Sequence, residues 1–262
     1  MPASPASPVS ARPAATVVLL RDRPQGMEVF MVVRHHEIDF ASGALVFPGG
    51  RVDPGDAEIA ASLGGGADAT PIHVAAVRET FEECGVLLAR RRGEQALVSA
   101  EVLQRLDAPR AALCRREATF VEVLSAEDLV PATDLLVHFA HWVTPRTQPK
   151  RFDTHFFLAV APKDHLALHD GGEAVDSVWI RPDDALGEAA AGRRKLIFPT
   201  RMNLLKLARE TTAAASIGAA RSAPIVTVEP EFVRAVEGGR ELRIPLAAGY
   251  GGEVFLARDL PA

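Results

Sequence analysis

The chain of 262 residues is poor in cysteine: Cys84 and Cys114 are the only two. Two thiols exclude a disulfide framework and suit a reducing compartment. No apolar run approaches the ~18 residues of a membrane-spanning helix. The first residues lack the charged-then-apolar pattern of a secretory signal, and Leu260-Pro261-Ala262 is not a peroxisomal address of the Ser-Lys-Leu type. The cytoplasm is therefore the expected location. A basic excess is missing as well. The formal net charge of −5 argues against a general binder of nucleic acid or membrane surface, while leaving room for a local basic pocket. No internal repeat is visible.

What is present is the composition of an ordinary globular protein, 48% hydrophobic and 24% charged, enough for one packed core with additions. Residues 1–13, small, polar and proline-rich, are expected to form a flexible tail. Thr16–Leu20 and Glu28–Arg34 read as two strands of a hairpin around the turn cluster at 21–26, and Ala44–Phe47 as a third strand running into Pro48-Gly49-Gly50. Val86–Leu88 suggests another short strand, and residues 94–130 an inserted, mainly helical segment. Strand character returns at Leu135–Val143, Phe156–Val160 and Ala174–Ile180, with helices at Pro182–Ala191 and Arg201–Thr211. Ile225–Phe255 alternates weakly and is expected to add edge strands. This pattern predicts an α+β protein with a mixed sheet in layered packing.

The stretch with chemical content is Val74–Val86. On a helix, Val74, Val77, Phe81 and Cys84 share a buried stripe, while Glu79, Glu82 and Glu83 form one patch on the opposite side. Three neighbouring carboxylates repel, and two lie just before Gly85, where the helix dipole disfavours negative charge. Stability alone would favour Lys or Arg there. A solvated acidic face is one reading. A divalent cation, which would reverse both penalties, is the other, with Arg78 steadying a glutamate.

The segment FPGGRVDPGD at 47–56 bears on that choice. With RETFEECGV at 78–86 it resembles the nudix hydrolase signature, Gly-x5-Glu-x7-Arg-Glu-U-x-Glu-Glu-x-Gly-U with U apolar; Gly50, Arg78, Glu79, Glu82, Glu83, Gly85 and Val86 match. The sequence departs from it in three ways. Asp56 stands where a Glu is expected, Thr80 replaces an apolar residue, and 21 residues separate Asp56 from Arg78 where the signature has seven. The added residues include SLGGGADATP at 62–71, of loop composition. Lengthening a loop costs only ~0.6 kcal/mol per doubling, so the insertion is expected to bulge outward and leave Gly50 beside the helix. The interrupted signature, HWVTPRTQPKRFDTHFF at 141–157 and, more loosely, PTRMNLLKL at 199–207 are similar to the (acyl-)coenzyme A diphosphatase branch of that family, which has a peroxisomal mammalian member.

The resemblance, over roughly residues 15–210, implies a nudix fold: a mixed β-sheet sandwiched between helices. The domain would span 14–211, with a helical insertion at about 94–130 and a C-terminal extension, 212–262, packed on it. It implies metal-dependent hydrolysis of the pyrophosphate bond in a nucleoside diphosphate derivative, coenzyme A or acyl-CoA first. ADP-ribose or a dinucleotide is the alternative substrate, and a non-hydrolysing nucleotide sensor the alternative of another class. Glu79, Glu83, Glu82 and a Gly49 or Gly50 carbonyl would hold Mg²⁺ or Mn²⁺, with Arg78 orienting the glutamates. Their face is expected to be solvent-exposed without metal. Glu173 is a candidate outside carboxylate. Arg146, Lys150 and Arg151 form a basic cluster suited to substrate phosphates, with Arg34, His35 and His36 as weaker candidates; adjacent strand residues point to opposite faces, so the histidine pair would not chelate together. Trp142 and Trp179 read as core residues before nucleobase stackers. The expected partner is a small nucleotide, with no nucleic acid or membrane, and a homodimer is common in the resembled family.

Overall fold

The computed structural model describes residues 9–34, 43–165 and 174–258. Its first strands are β1 (Arg12–Arg23), β2 (Gly26–Arg34), β3 (Leu45–Val46) and β4 (Gly49–Arg51). Helices α1 (Pro54–Ser62) and α2 (Pro71–Cys84) follow, then β5 (Ala89–Arg91), α3 (Ala100–Arg105), α4 (Asp107–Cys114), α5 (Phe120–Ala126) and β6 (Leu129–Pro131). The second half contains β7 (Val137–Val143), β8 (Phe152–Val160), β9 (Ala174–Ile180), α6 (Pro182–Ala190), α7 (Phe198–Leu207) and α8 (Ala213–Ser222). The C-terminal strands are β10 (Thr227–Val228), β11 (Glu231–Val236), β12 (Gly239–Arg243) and β13 (Val254–Arg258).

The long strand β1 is the axis of an eight-stranded mixed sheet ordered β10-β7-β8-β1-β2-β3, with β4 paired to β1 and β9 to β2. Along one side β1 runs parallel to β8, from Arg12↔Phe152 to Leu20↔Val160. Along the other it pairs antiparallel first with β4 (Thr16↔Gly49) and then with β2 (Leu20↔Val29). Both faces of β1 are covered, which is why ATVVLL reads as a continuous apolar run instead of alternating. Ala15, Val17 and Leu19 face a core shared with α2 and α5, while Val18 and Leu20 face a second core with Met202, Leu204 and Ala220 of α7 and α8. The fold is the mixed sheet between helices that the sequence predicts.

Several local expectations are corrected. Val86–Leu88 is not a strand; it crosses the α2-side core fully buried, and pairing begins only at Ala89↔Pro131. Its apolar residues are explained by burial instead of by a ladder. Part of the residue surplus after Asp56 is helical, since α1 extends to Ser62 before the Gly-rich loop. Helix α8 was not foreseen because its alanines carry little amphipathic signal; Thr212 caps it by accepting from the Ala215 N–H (3.1 Å). Of the tail, only β10 joins the main sheet, beside β7. Strands β11–β13 form their own antiparallel sheet. The tail is tied down by Tyr250, which accepts from Trp142 Nε1 (2.9 Å) and donates to Asn203 Oδ1 (2.8 Å) in the second core.

Candidate active site

Helix α2 begins with Thr70 and Pro71 and ends at Gly85, whose left-handed backbone (φ 69°) stops it. It packs on β1, β4 and α1, and nearly all its circumference is enclosed. Thr80, at an apolar position of the signature, is fully buried and satisfies its hydroxyl by donating to Ala76 O (2.7 Å). The expected exposure of the glutamate face is overturned. Glu83 is 8% exposed, and the side chains of Glu79 and Glu82 are 13% and 21% exposed, because Gly49 and Gly50 of β4 close on Glu83 and Glu79 and Arg78 lies against Glu82.

The start of β4 is fixed by two close approaches. Gly49 sits against Ala15 O and the Thr16 backbone of β1, with no room for a Cβ, and its N–H donates to Glu83 Oε2 (2.9 Å). A Cβ on Gly50 would overlap the Glu79 carboxylate. The insertion therefore leaves β4 and the helix adjacent.

Arg78 is the hub of the site. It is 5% exposed and donates from Nε to Asp56 Oδ1 (2.9 Å) and from Nη2 to Asp56 Oδ2 (2.9 Å) and Arg51 O (2.7 Å). Its Nη1 donates to Glu79 Oε1 and Glu82 Oε1, both at 2.9 Å. Burial alone would lower the Arg78 pKa, but the Asp56 hydrogen bond and the charges of Glu79, Asp56 and Glu82 outweigh it and raise it. Burial pushes the Glu82 carboxyl up, opposed by Arg78 and reinforced by Asp53 and Asp56. Asp56 itself is 1% exposed and closes a capping box by accepting from the Asp53 N–H (2.8 Å).

The missing cation at the end of α2 is supplied from elsewhere. Arg110 of α4 donates to Phe81 O (2.7 Å) and Glu82 O (2.9 Å), placing a guanidinium on the helix's terminal carbonyls. Sequence reasoning missed it, since nothing local links Arg110 to residues 29 and 28 positions away.

The glutamate face lies in the wall of a cavity of about 2280 Å³. Arg12, Arg51, Arg146 and Lys150 line it, as do the apolar Phe47, Ile197 and Phe198, and the C-terminal sheet adds Phe232, Arg240 and Arg258. Arg151 does not line it. This residue is buried, donating to Thr144 O (2.9 Å), Val9 O (2.8 Å) and Glu229 Oε1 (3.2 Å), which separates it from the basic cluster expected from the sequence. Trp142 is buried; Trp179 packs on Phe30 and under the Arg21 guanidinium, 4.1 Å from the ring centre. Glu173, His35 and His36 lie outside the described residues, as does the Arg34 side chain.

The model of the NUDT19 Nudix domain matches residues 67–205, more than half of the chain. A NUDIX hydrolase from Alicyclobacillus acidocaldarius has a similar structure, with a TM-score of 0.67 at 32% identity over 80% of this chain and 96% of that one. This chain belongs to the Nudix hydrolase family. "Putative nudix hydrolase 7" of Caenorhabditis elegans is 29% identical over 76% of this chain and 61% of its own length. The human acyl-coenzyme A diphosphatase NUDT19 is 31% identical over 43% of this chain and 32% of its own. The chain thus spans less than two thirds of either curated relative. The Nudix domain match includes all of α2 but starts beyond Gly49, Gly50 and Asp56, which join the site through the contacts just described.

Proposed function

We propose that this Nudix chain is a metal-dependent pyrophosphohydrolase acting on coenzyme A or acyl-CoA. The observation that carries the reading is the Glu79–Glu82–Glu83 face beside Gly49 and Gly50 of β4, in the wall of a cavity that Arg12, Arg51, Arg146 and Lys150 also line. The oxygen-only donor set fits a hard dication. Arg78 holds two of the glutamates and the Gly49 N–H the third, which keeps the three carboxylates on one face. Mg²⁺ or Mn²⁺, when bound, supplies charge neutralisation at the pyrophosphate and an activated water. Glu79, Glu82, Glu83 and a Gly50 carbonyl are the proposed ligands, and Arg78 keeps the carboxylates oriented. Arg146 and Lys150 remain the proposed phosphate donors, now joined by Arg12 and Arg51.

Substrate choice rests on the cavity's size and charge. At about 2280 Å³ it exceeds the ~300–1,000 Å³ of common small-ligand pockets. Its mixture of basic and apolar walls suits a long ligand carrying several phosphates at one end. The relatives' printed activity, acyl-CoA diphosphatase, points the same way. The cytoplasm is the proposed location, since a sequence with only two cysteines suits a reducing compartment.

The test is an assay of purified protein with Mg²⁺ or Mn²⁺ against coenzyme A, ADP-ribose and NADH, beside Glu83→Gln. The expected result is coenzyme A cleavage that falls in the variant by at least the roughly 10–100-fold that loss of an outer-shell partner costs. Cleavage of ADP-ribose alone would remove the substrate assignment. Binding without turnover would make the chain a nucleotide sensor.

A further inference from the structure

We propose that His141, Asp153 and His155 form a second metal site, for a transition dication of zinc type, on the face of β7 and β8 that meets α2, outside the lining of the cavity. The placement follows from strand alternation. His141 of β7 and His155 of β8 are direct cross-strand partners, and Asp153 is two residues before His155 on the same face. Their neighbours Trp142, Val143, Phe152 and Thr154 line the cavity; these three do not. Among the described residues, this is the group that brings three ligand atoms within 4.8 Å of one another.

The geometry is that of a site with its outer shell in place. His141 Nε2 already contacts Asp153 Oδ1, and His155 Nε2 lies 4.0 Å from the same oxygen. The far nitrogens are occupied: His141 Nδ1 bonds Thr227 Oγ1 (2.8 Å), and His155 Nδ1 bonds His138 Nε2 (3.0 Å). Fixing the far nitrogen is how proteins set the tautomer and direction of a ligating histidine. Ligands sharing a tetrahedral ion at ~2.0–2.1 Å lie roughly 3.4 Å apart. The imidazoles are stacked, ring centres 4.1 Å apart and planes 17° from parallel, so both must tilt about χ2 to converge. That torsion is soft.

Two imidazoles and one carboxylate prefer zinc, copper or nickel to magnesium, so this site and the glutamate face would take different ions. With side chains 16%, 39% and 22% exposed, the three leave room for a water as fourth ligand. A bound ion would cross-link β7 to β8. Through Thr227 it would also steady β10, the strand by which the C-terminal segment joins the main sheet. Its role is therefore a structural clip. The competing view is an ordinary His141–Asp153 hydrogen bond with a second imidazole stacked on it.

The experiment is calorimetric titration of chelator-treated protein with zinc in excess Mg²⁺, with Co²⁺ absorption spectra and thermal melts alongside. The expected result is one zinc per chain, a nitrogen–oxygen cobalt spectrum and a raised Tm. Affinity should fall by on the order of 10–100-fold or more in Asp153→Asn and His155→Ala and stay unchanged in Glu83→Gln. Asp153→Asn keeps a hydrogen-bond acceptor for His141 and guards against loss of fold, which circular dichroism checks. Absence of zinc binding, or zinc that follows Glu83→Gln and ignores Asp153→Asn, would overturn the proposal.

Discussion

Asp56 and Arg78, 22 positions apart, meet in a two-point ion pair with both bonds at 2.9 Å, inside the protein. The shorter carboxylate thus takes up the arginine at the heart of the site. The same arginine holds Glu79 and Glu82. The charge of Asp56 is consequently tied to the stability of the whole site.

Asp56→Ala would strand a buried guanidinium with one fewer carboxylate. Breaking a buried pair from one side costs about 3–5 kcal/mol. Asp56→Asn retains one acceptor oxygen and should lose less. Urea unfolding of both variants measures the difference; equal, sub-kcal losses would show that the pair carries little.

Gly49 and Gly50 separate fold from chemistry. Gly49→Ala drives a methyl into the β1 backbone and should destabilise the chain or prevent folding. Gly50→Ala puts its methyl first against the Glu79 carboxylate, a side-chain group that can swing aside. The expected outcome is a folded Gly50→Ala protein, with Tm within a few degrees, that has lost most metal-dependent turnover. Full activity in Gly50→Ala would deny Glu79 its role.

Much of this site was legible beforehand, and the reasons differ by residue. The glutamates and Arg78 follow one helical period, so spacing alone groups them. Gly49 and Gly50 were tied to them by motif, and loop entropy argued correctly that the insertion would not separate them. What spacing cannot convey is enclosure. The same periodicity that put the glutamates on a polar face could not reveal that Gly49 and Gly50 of β4 close on Glu83 and Glu79, nor that Arg151 is engaged by Val9 and Glu229. Arg110 and the histidine cluster depend on tertiary pairing between segments with no shared local pattern.

Arg110→Met tests the borrowed cap. It keeps the stem and removes the cation from the α2 terminus, so Phe81 O loses its side-chain donor and Glu82 O keeps only the Cys114 thiol (3.5 Å). Charge at a helix end contributes about 0.3–1 kcal/mol when exposed and up to ~2 when partly buried. The chain should lose roughly 1–2 kcal/mol in chemical unfolding. A salt-insensitive loss would point to packing instead of charge.

The histidine cluster sets an acid limit on stability in metal-free protein. His138 and His155 are both pushed down to about 4, first by burial and then by neighbouring imidazoles, with Asp153 opposing the shift at His155. The groups facing them are His73 of α2, His141 of β7 and Asp153 of β8. Folded rings stay neutral down to about 4, whereas unfolded ones take protons below about 6.5. Between those values the unfolded chain binds more protons, so stability rises with pH. It is fully present above about 6.5 and is lost as pH falls toward 4. The slope approaches ~1.4 kcal/mol per pH unit for each proton taken up, as an upper bound for partly exposed rings. His138 and His155 share a hydrogen bond, so they titrate as a pair and one protonation hinders the other. Urea midpoints of chelated protein across this window should fall with pH, and His155→Gln should flatten the fall. An unchanged slope in that variant would assign the acid sensitivity to other groups.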